Sequence, residues 1–136
     1  MPDQIQTILC PVNLRHATQD TRAYDIALFE ARSYGATLHI VTVAPEMERN
    51  LNIYDSDIYW GGKLKEFLKA YPPGDVPHET KVLKGAAHRQ IVRHAEAISA
   101  DLIVMSSANP RIQDYLLGTT ASHVVTHATC SVYVVR

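Results

Sequence analysis

Cysteine is scarce in this chain: Cys10 and Cys130 are the two among 136 residues, each in an apolar, strand-like run. Two cysteines so placed make no disulfide framework, which points to a reduced, cytoplasmic setting. Neither has the exposed, electropositive surroundings that a reactive thiolate needs. An excess of one charge is missing too. Thirteen Lys and Arg against fourteen Asp and Glu leave a formal net charge of −1, so no sequence-wide basic field exists to hold nucleic acid or an anionic membrane. The aromatics Tyr54, Tyr59 and Trp60 interleave with Asp55 and Asp57 rather than with basic residues, which also opposes nucleic-acid binding. No apolar run approaches the roughly 18 residues of a membrane span, and Met1 to Gln6 lacks a basic-then-apolar leader. Several motifs are absent: G-x-x-x-x-G-K-[ST], a G-x-G-x-x-G after a strand, H-E-x-x-H, and any Ser/His/Asp or Cys/His triad signature.

What is present is ordinary globular composition, 46% hydrophobic and 20% charged, in a length that suits one domain over residues 1–136. Apolar runs at 7–12, 37–43, 101–105 and 131–135, with a period-two run at 78–83, read as strands. Pro11 cannot donate to a ladder and must end or bulge the first. Between them lie helical patterns. The first runs from caps at Thr18 or Asp20 to about Ser33, with Ala23, Ile26, Ala27, Glu30, Ala31 and Tyr34 on one face and Gly35 as its stop. The segment 46–62 reads as a long loop with room for a helical turn. A short helix with Leu64, Phe67, Leu68 and Tyr71 on one side follows, ended by Pro72-Pro73-Gly74. Residues 88–99 carry the stripe Ile91, Val92, Ala95, Ile98, and the last helix runs from Gly118 to about His127. Strands alternating with helices predict an α/β fold: a single doubly wound, mainly parallel five-stranded sheet with helices on both faces.

In such a sheet the ligand crevice lies beyond the carboxyl ends of the strands, where the winding reverses. Pro11-Val12-Asn13, Val43-Ala44-Pro45 and Ser106 to Thr120 qualify by position. The last holds small hydrogen-bonding residues and then Gly118-Thr119-Thr120 at a helix start, where bare N–H groups and the helix dipole favour phosphate.

Asp101-Leu102-Ile103-Val104-Met105, Tyr115-Leu116-Leu117-Gly118-Thr119 and His127-Ala128-Thr129-Cys130-Ser131-Val132-Tyr133-Val134-Val135, with Ile8-Leu9-Cys10-Pro11-Val12-Asn13 at the start, resemble the universal stress protein family. Ser106 and Asn109 stand where the family has its first two glycines, as in a subgroup lacking that pair, and Asn13 stands in place of its aspartate. The resemblance implies a Rossmann-like adenine-nucleotide site. Pro11, Val12 and Asn13 would border adenine and ribose, with Val43 against the base. Met105, Ser106 and Asn109 would follow the ribose and phosphates, and Gly118, Thr119, Thr120 and Ala121 would cradle the phosphate tail. ATP or another adenine nucleotide, with Mg²⁺ beside the phosphates, is the implied ligand. A homodimer through the C-terminal strand is the implied assembly.

His123 and His127 are four apart, a spacing that binds zinc, but the sequence supplies no converging third ligand and no protein metal site is assigned. The expectation is a cytoplasmic stress-response regulator that binds an adenine nucleotide. The alternative is a dimeric interaction module that binds none. A slow nucleotide hydrolase ranks last, because no positioned base can be identified.

Overall fold

The alternation of strand and helix predicted above is realised in a computed structural model, which describes residues 4–14, 21–44, 53–107 and 119–136, with 53–56 described by backbone alone. In chain order the elements are β1 (Thr7–Pro11), α1 (Arg22–Tyr34), β2 (Thr37–Ala44), α2 (Ile53–Ala70), β3 (His78–Lys84), α3 (Ala87–Ala97), β4 (Leu102–Ser106), α4 (Thr119–His127) and β5 (Ser131–Val135). All strand pairs are parallel, and the sheet order is β3-β2-β1-β4-β5. The chain winds outward from β1 to β3, returns across the sheet to β4, and winds outward again to β5. That reversal between β1 and β4 is the doubly wound topology expected from sequence. Among the described residues no helix is long and apolar enough to cross a membrane.

Alternation of side chains along each strand divides the core in two. On one face Ile8, Cys10, Leu38, Ile40, Leu102 and Val104 pack against Tyr24, Ala27, Leu28 and Ala31 of α1 and Leu64 and Phe67 of α2. On the other, Leu9, Val41, Ile103 and Met105 meet Ile91 and Ala95 of α3 and Ala121 and Val124 of α4. Burial on both faces explains the unbroken apolar runs of β1 and β4. It also pushes the Cys10 thiol up to about 12, so this cysteine behaves as a small core side chain.

Three local expectations need correction. The buried face of α1 is Tyr24, Ala27, Leu28 and Ala31, while Tyr34 is 42% exposed. The stripe is rotated because Tyr24 finds a tertiary partner: its hydroxyl donates to the Tyr71 carbonyl at 2.6 Å, and its ring meets Phe67 edge-on at 5.0 Å. Secondly, 53–62 is not loop but the first half of α2. Trp60, Leu64 and Phe67 recur at helical spacing and are all buried, which outweighs the helix-weakening pair Gly61-Gly62. Thirdly, β3 alternates only at its end. Residues 78–81 are exposed, as suits a strand at the sheet edge. Thr18 and Asp20, the predicted caps of α1, lie outside the described residues. Gly35 ends α1 as expected, in the left-handed conformation at φ 66°.

Asp101, the first residue of the D-L-I-V-M stretch, has a role the sequence does not announce. Its Oδ2 accepts the Gln6 and Thr7 backbone N–H groups at 2.9 and 3.0 Å, and its own N–H donates to the Thr7 carbonyl at 2.8 Å. It ties the amino end of β4 to that of β1.

Candidate functional site

Backbone hydrogen bonds at the two ends of β1 show which neighbour each of its residues addresses. The Val12 N–H donates to the Val41 carbonyl at 2.8 Å, across to β2. The Thr7 carbonyl accepts from Asp101, across to β4. Since backbone groups alternate sides along a strand, even-numbered residues of β1 address β2 and odd-numbered ones address β4. Pro11 is odd. The donor that proline lacks is therefore the one that would reach β4. The register agrees: β1 pairs with β2 through Pro11↔Val41, but with β4 only at Ile8↔Leu102 and Leu9↔Ile103. Sequence reasoning anticipated that Pro11 ends the strand. The structure adds that its missing N–H faces β4, so the seam between β1 and β4 parts at the point where the winding reverses.

Around this seam the predicted residues are distributed unevenly. Val12 is buried, Pro11 and Val43 are half-buried, and Asn13 is exposed beyond the end of β1. Ser106 is exposed at the end of β4, followed by buried Ser107, whose N–H donates to the Val135 carbonyl at 2.9 Å and holds the strand end in place. Met105 and Ala121 belong to the core cluster on the α3 and α4 face, so their side chains pack inward together. Thr119 and Thr120 open α4, the first exposed and the second half-buried, and no acidic residue stands in that first turn. The amide groups and partial positive charge of this helix start are thus not neutralised by its own side chains. Asn109 and Gly118, and with them Arg111, lie outside the described residues.

The strand-end residues described here offer amide and hydroxyl hydrogen-bonding groups beside apolar Val12 and Val43. None of Pro11, Val12, Asn13, Val43, Ser106, Ser107, Thr119 and Thr120 is a carboxylate or an imidazole, so their side chains offer hydrogen bonds and apolar contact rather than a general base. A hollow of about 200 Å³ lies elsewhere, between α2 and β3, lined by Gly61, Leu64, Leu68 and Val82 with Lys65 and Lys81. It sits along the edge strand and holds none of the predicted residues.

A third histidine, His88, stands beside His123 and His127. The structure brings the three rings into contact across α3 and α4, with centroids 4.4 Å apart for His88 and His123 and 4.2 Å for His123 and His127. Only the packing of two helices joins them, and no linear spacing carries that signal.

Comparison with known proteins follows the same architecture. The model of the universal stress protein family matches residues 4–136. The universal stress protein G of Escherichia coli O157:H7 is 42% identical over 143 residues, covering 96% of this chain and 99% of that relative. A universal stress protein solved in complex with cAMP superposes with a TM-score of 0.77 at 23% identity, over 98% of each chain. One from Archaeoglobus fulgidus in complex with dAMP gives 0.70 at 21%, over 98% of this chain and 99% of that one. At such identities the structural likeness speaks for the fold.

Proposed function

The chain belongs to the universal stress protein family, and from that membership we propose that it is a cytoplasmic stress-response regulator binding ATP or a related adenine nucleotide in the parted seam between β1 and β4. The observation that carries this reading is the seam itself, where β1 pairs with β4 only at Ile8↔Leu102 and Leu9↔Ile103 and Pro11 lacks the donor toward β4; α4, which follows β4 in the chain, holds no acid in its first turn. In the two solved relatives named above the ligands are cAMP and dAMP, both adenine nucleotides. Pro11, Val12 and Val43 would contact the base, with Asn13 toward the ribose. Ser106 and Asn109 would lie along the phosphates, and Gly118, Thr119 and Thr120 would receive their far end. Mg²⁺ would accompany a triphosphate, whose charge the described strand-end residues do not balance. Asn13 keeps an acceptor oxygen for a ribose hydroxyl but no charge, which weakens that bond by about 1 kcal/mol relative to a carboxylate. Modest affinity follows.

The assembly proposed is a homodimer through β5. That strand lies at the sheet edge and exposes Ser131 and Tyr133, and edge pairing across a two-fold would satisfy its free backbone groups.

Calorimetric titration of the purified chain with ATP and with adenosine tests the nucleotide reading. Thr119→Glu is the informative variant. A carboxylate at a helix start is favourable to folding by about 0.3–1 kcal/mol but repels phosphate. The expected result is saturable ATP binding at or below about 1 mM, lost in Thr119→Glu while adenosine binding survives. Absence of ATP binding to the native chain, or ATP binding by Thr119→Glu as tight as by the native chain, overturns it. The first outcome would leave the dimeric interaction module.

A further inference from the structure

We propose that His88, His123 and His127 form a capture site for a borderline divalent cation of the zinc class, stapling α3 to α4 at a place separate from the strand-end seam. His123 and His127 stand one turn apart on α4, where residues at i and i+4 share a face with their Cβ atoms about 5–6 Å apart. His88, in the first turn of α3, meets His123 ring to ring at 4.4 Å, and His123 meets His127 at 4.2 Å. The backbone positions are fixed by the packing of the two helices, since Ile91, Ala95, Ala121 and Val124 share one core cluster beneath them.

Neutral imidazole is the form that binds metal. A set of three nitrogens with an open fourth position suits zinc, nickel or copper(II), and not magnesium or calcium, which want oxygen. With the side chains as they stand, no group of three His, Cys, Asp or Glu among the described residues, these three histidines included, is placed to hold a metal ion. Capture therefore requires the rings to turn about their side-chain bonds. His127 is exposed and the other two are half-buried, and such turns are fast for exposed side chains.

The test uses the full chain without a polyhistidine tag, freed of metal by chelator and titrated with zinc chloride by calorimetry. Cobalt(II) absorption reports the coordination. The expected result is saturable binding of one equivalent at micromolar zinc, falling steeply as pH drops below about 6.5. His88→Ala, His123→Ala and His127→Ala should each weaken it by about tenfold or more, since losing even an outer partner of a metal ligand costs that much. His78→Ala, on the edge strand, should leave it unchanged. Circular dichroism checks that each variant is folded. Three outcomes overturn the proposal: no saturable zinc binding by the native chain, binding unaffected in the triple variant, or His88→Ala equal to the native chain. The last would reduce the site to a helical pair.

Discussion

The carboxylate of Asp101 separates structural from ligand-binding roles within one family-like motif, and its removal has a calculable cost. In Asp101→Ala the Gln6 and Thr7 N–H groups, now 2.9 and 3.0 Å from Oδ2, lose their acceptor. A hydrogen bond to a charged group contributes about 1.5–3 kcal/mol, but the exposed Gln6 amide recovers a water and returns most of its share. The part-buried Thr7 amide does not. The net loss is about 2 kcal/mol, which for a chain of this size lowers the thermal midpoint by roughly 6–10 °C. Asp101→Asn keeps an acceptor oxygen without its charge and should lose about half as much. Urea unfolding followed by circular dichroism measures both variants, and an unchanged m-value would confirm that stability alone has moved. Because Asp101 sits at the amino ends of β1 and β4, opposite the seam, ATP affinity should not change. The reasoning is refuted if Asp101→Ala unfolds within about 0.5 kcal/mol of the native chain, the scatter expected of an uninvolved surface site.

Two further outcomes are expected. Gly62 lies in the interior of α2, exposed, and a Cβ added there would meet nothing within 4 Å, so Gly62→Ala should raise stability by about 0.5–1 kcal/mol in the same urea assay. His94 is held below the ordinary histidine range by burial first, then by Lys81 and His39. The unfolded chain therefore takes up a proton at a higher pH than the fold does, and stability should fall as pH drops from about 6.5 through the lower folded value. Unfolding midpoints between neutral pH and pH 5 would show a shallower decline for His94→Gln, and an identical decline would contradict this assignment.

How far the sequence reaches is best judged element by element. Strands β1, β2, β4 and β5 were legible because burial on two faces, or a clear alternation, leaves little freedom in residue choice, and the parallel α/β class followed from their spacing. The stripe of α3 was legible for the same reason. Pro11 could be seen to end its strand, and Gly35 to stop its helix, since each acts through its own backbone. Helix α2 was not legible over 53–62. Two glycines and the polar run Asp55-Ser56-Asp57 argue locally for a loop, and only the burial of Trp60, Leu64 and Phe67 reverses that preference. The rotated face of α1 likewise rests on the carbonyl of Tyr71, forty-seven positions away from Tyr24.

For the candidate site, the sequence by itself determined which residue types stand at the carboxyl ends of the strands. The tertiary structure decided that the proline's missing donor points at β4, that Met105 and Ala121 turn into the core, and that His88 joins His123 and His127. The physical reason is one of range. Backbone chemistry and periodicity are written within a few residues, whereas the side of a strand that loses a hydrogen bond, and the helices that meet, depend on the packing of the whole sheet.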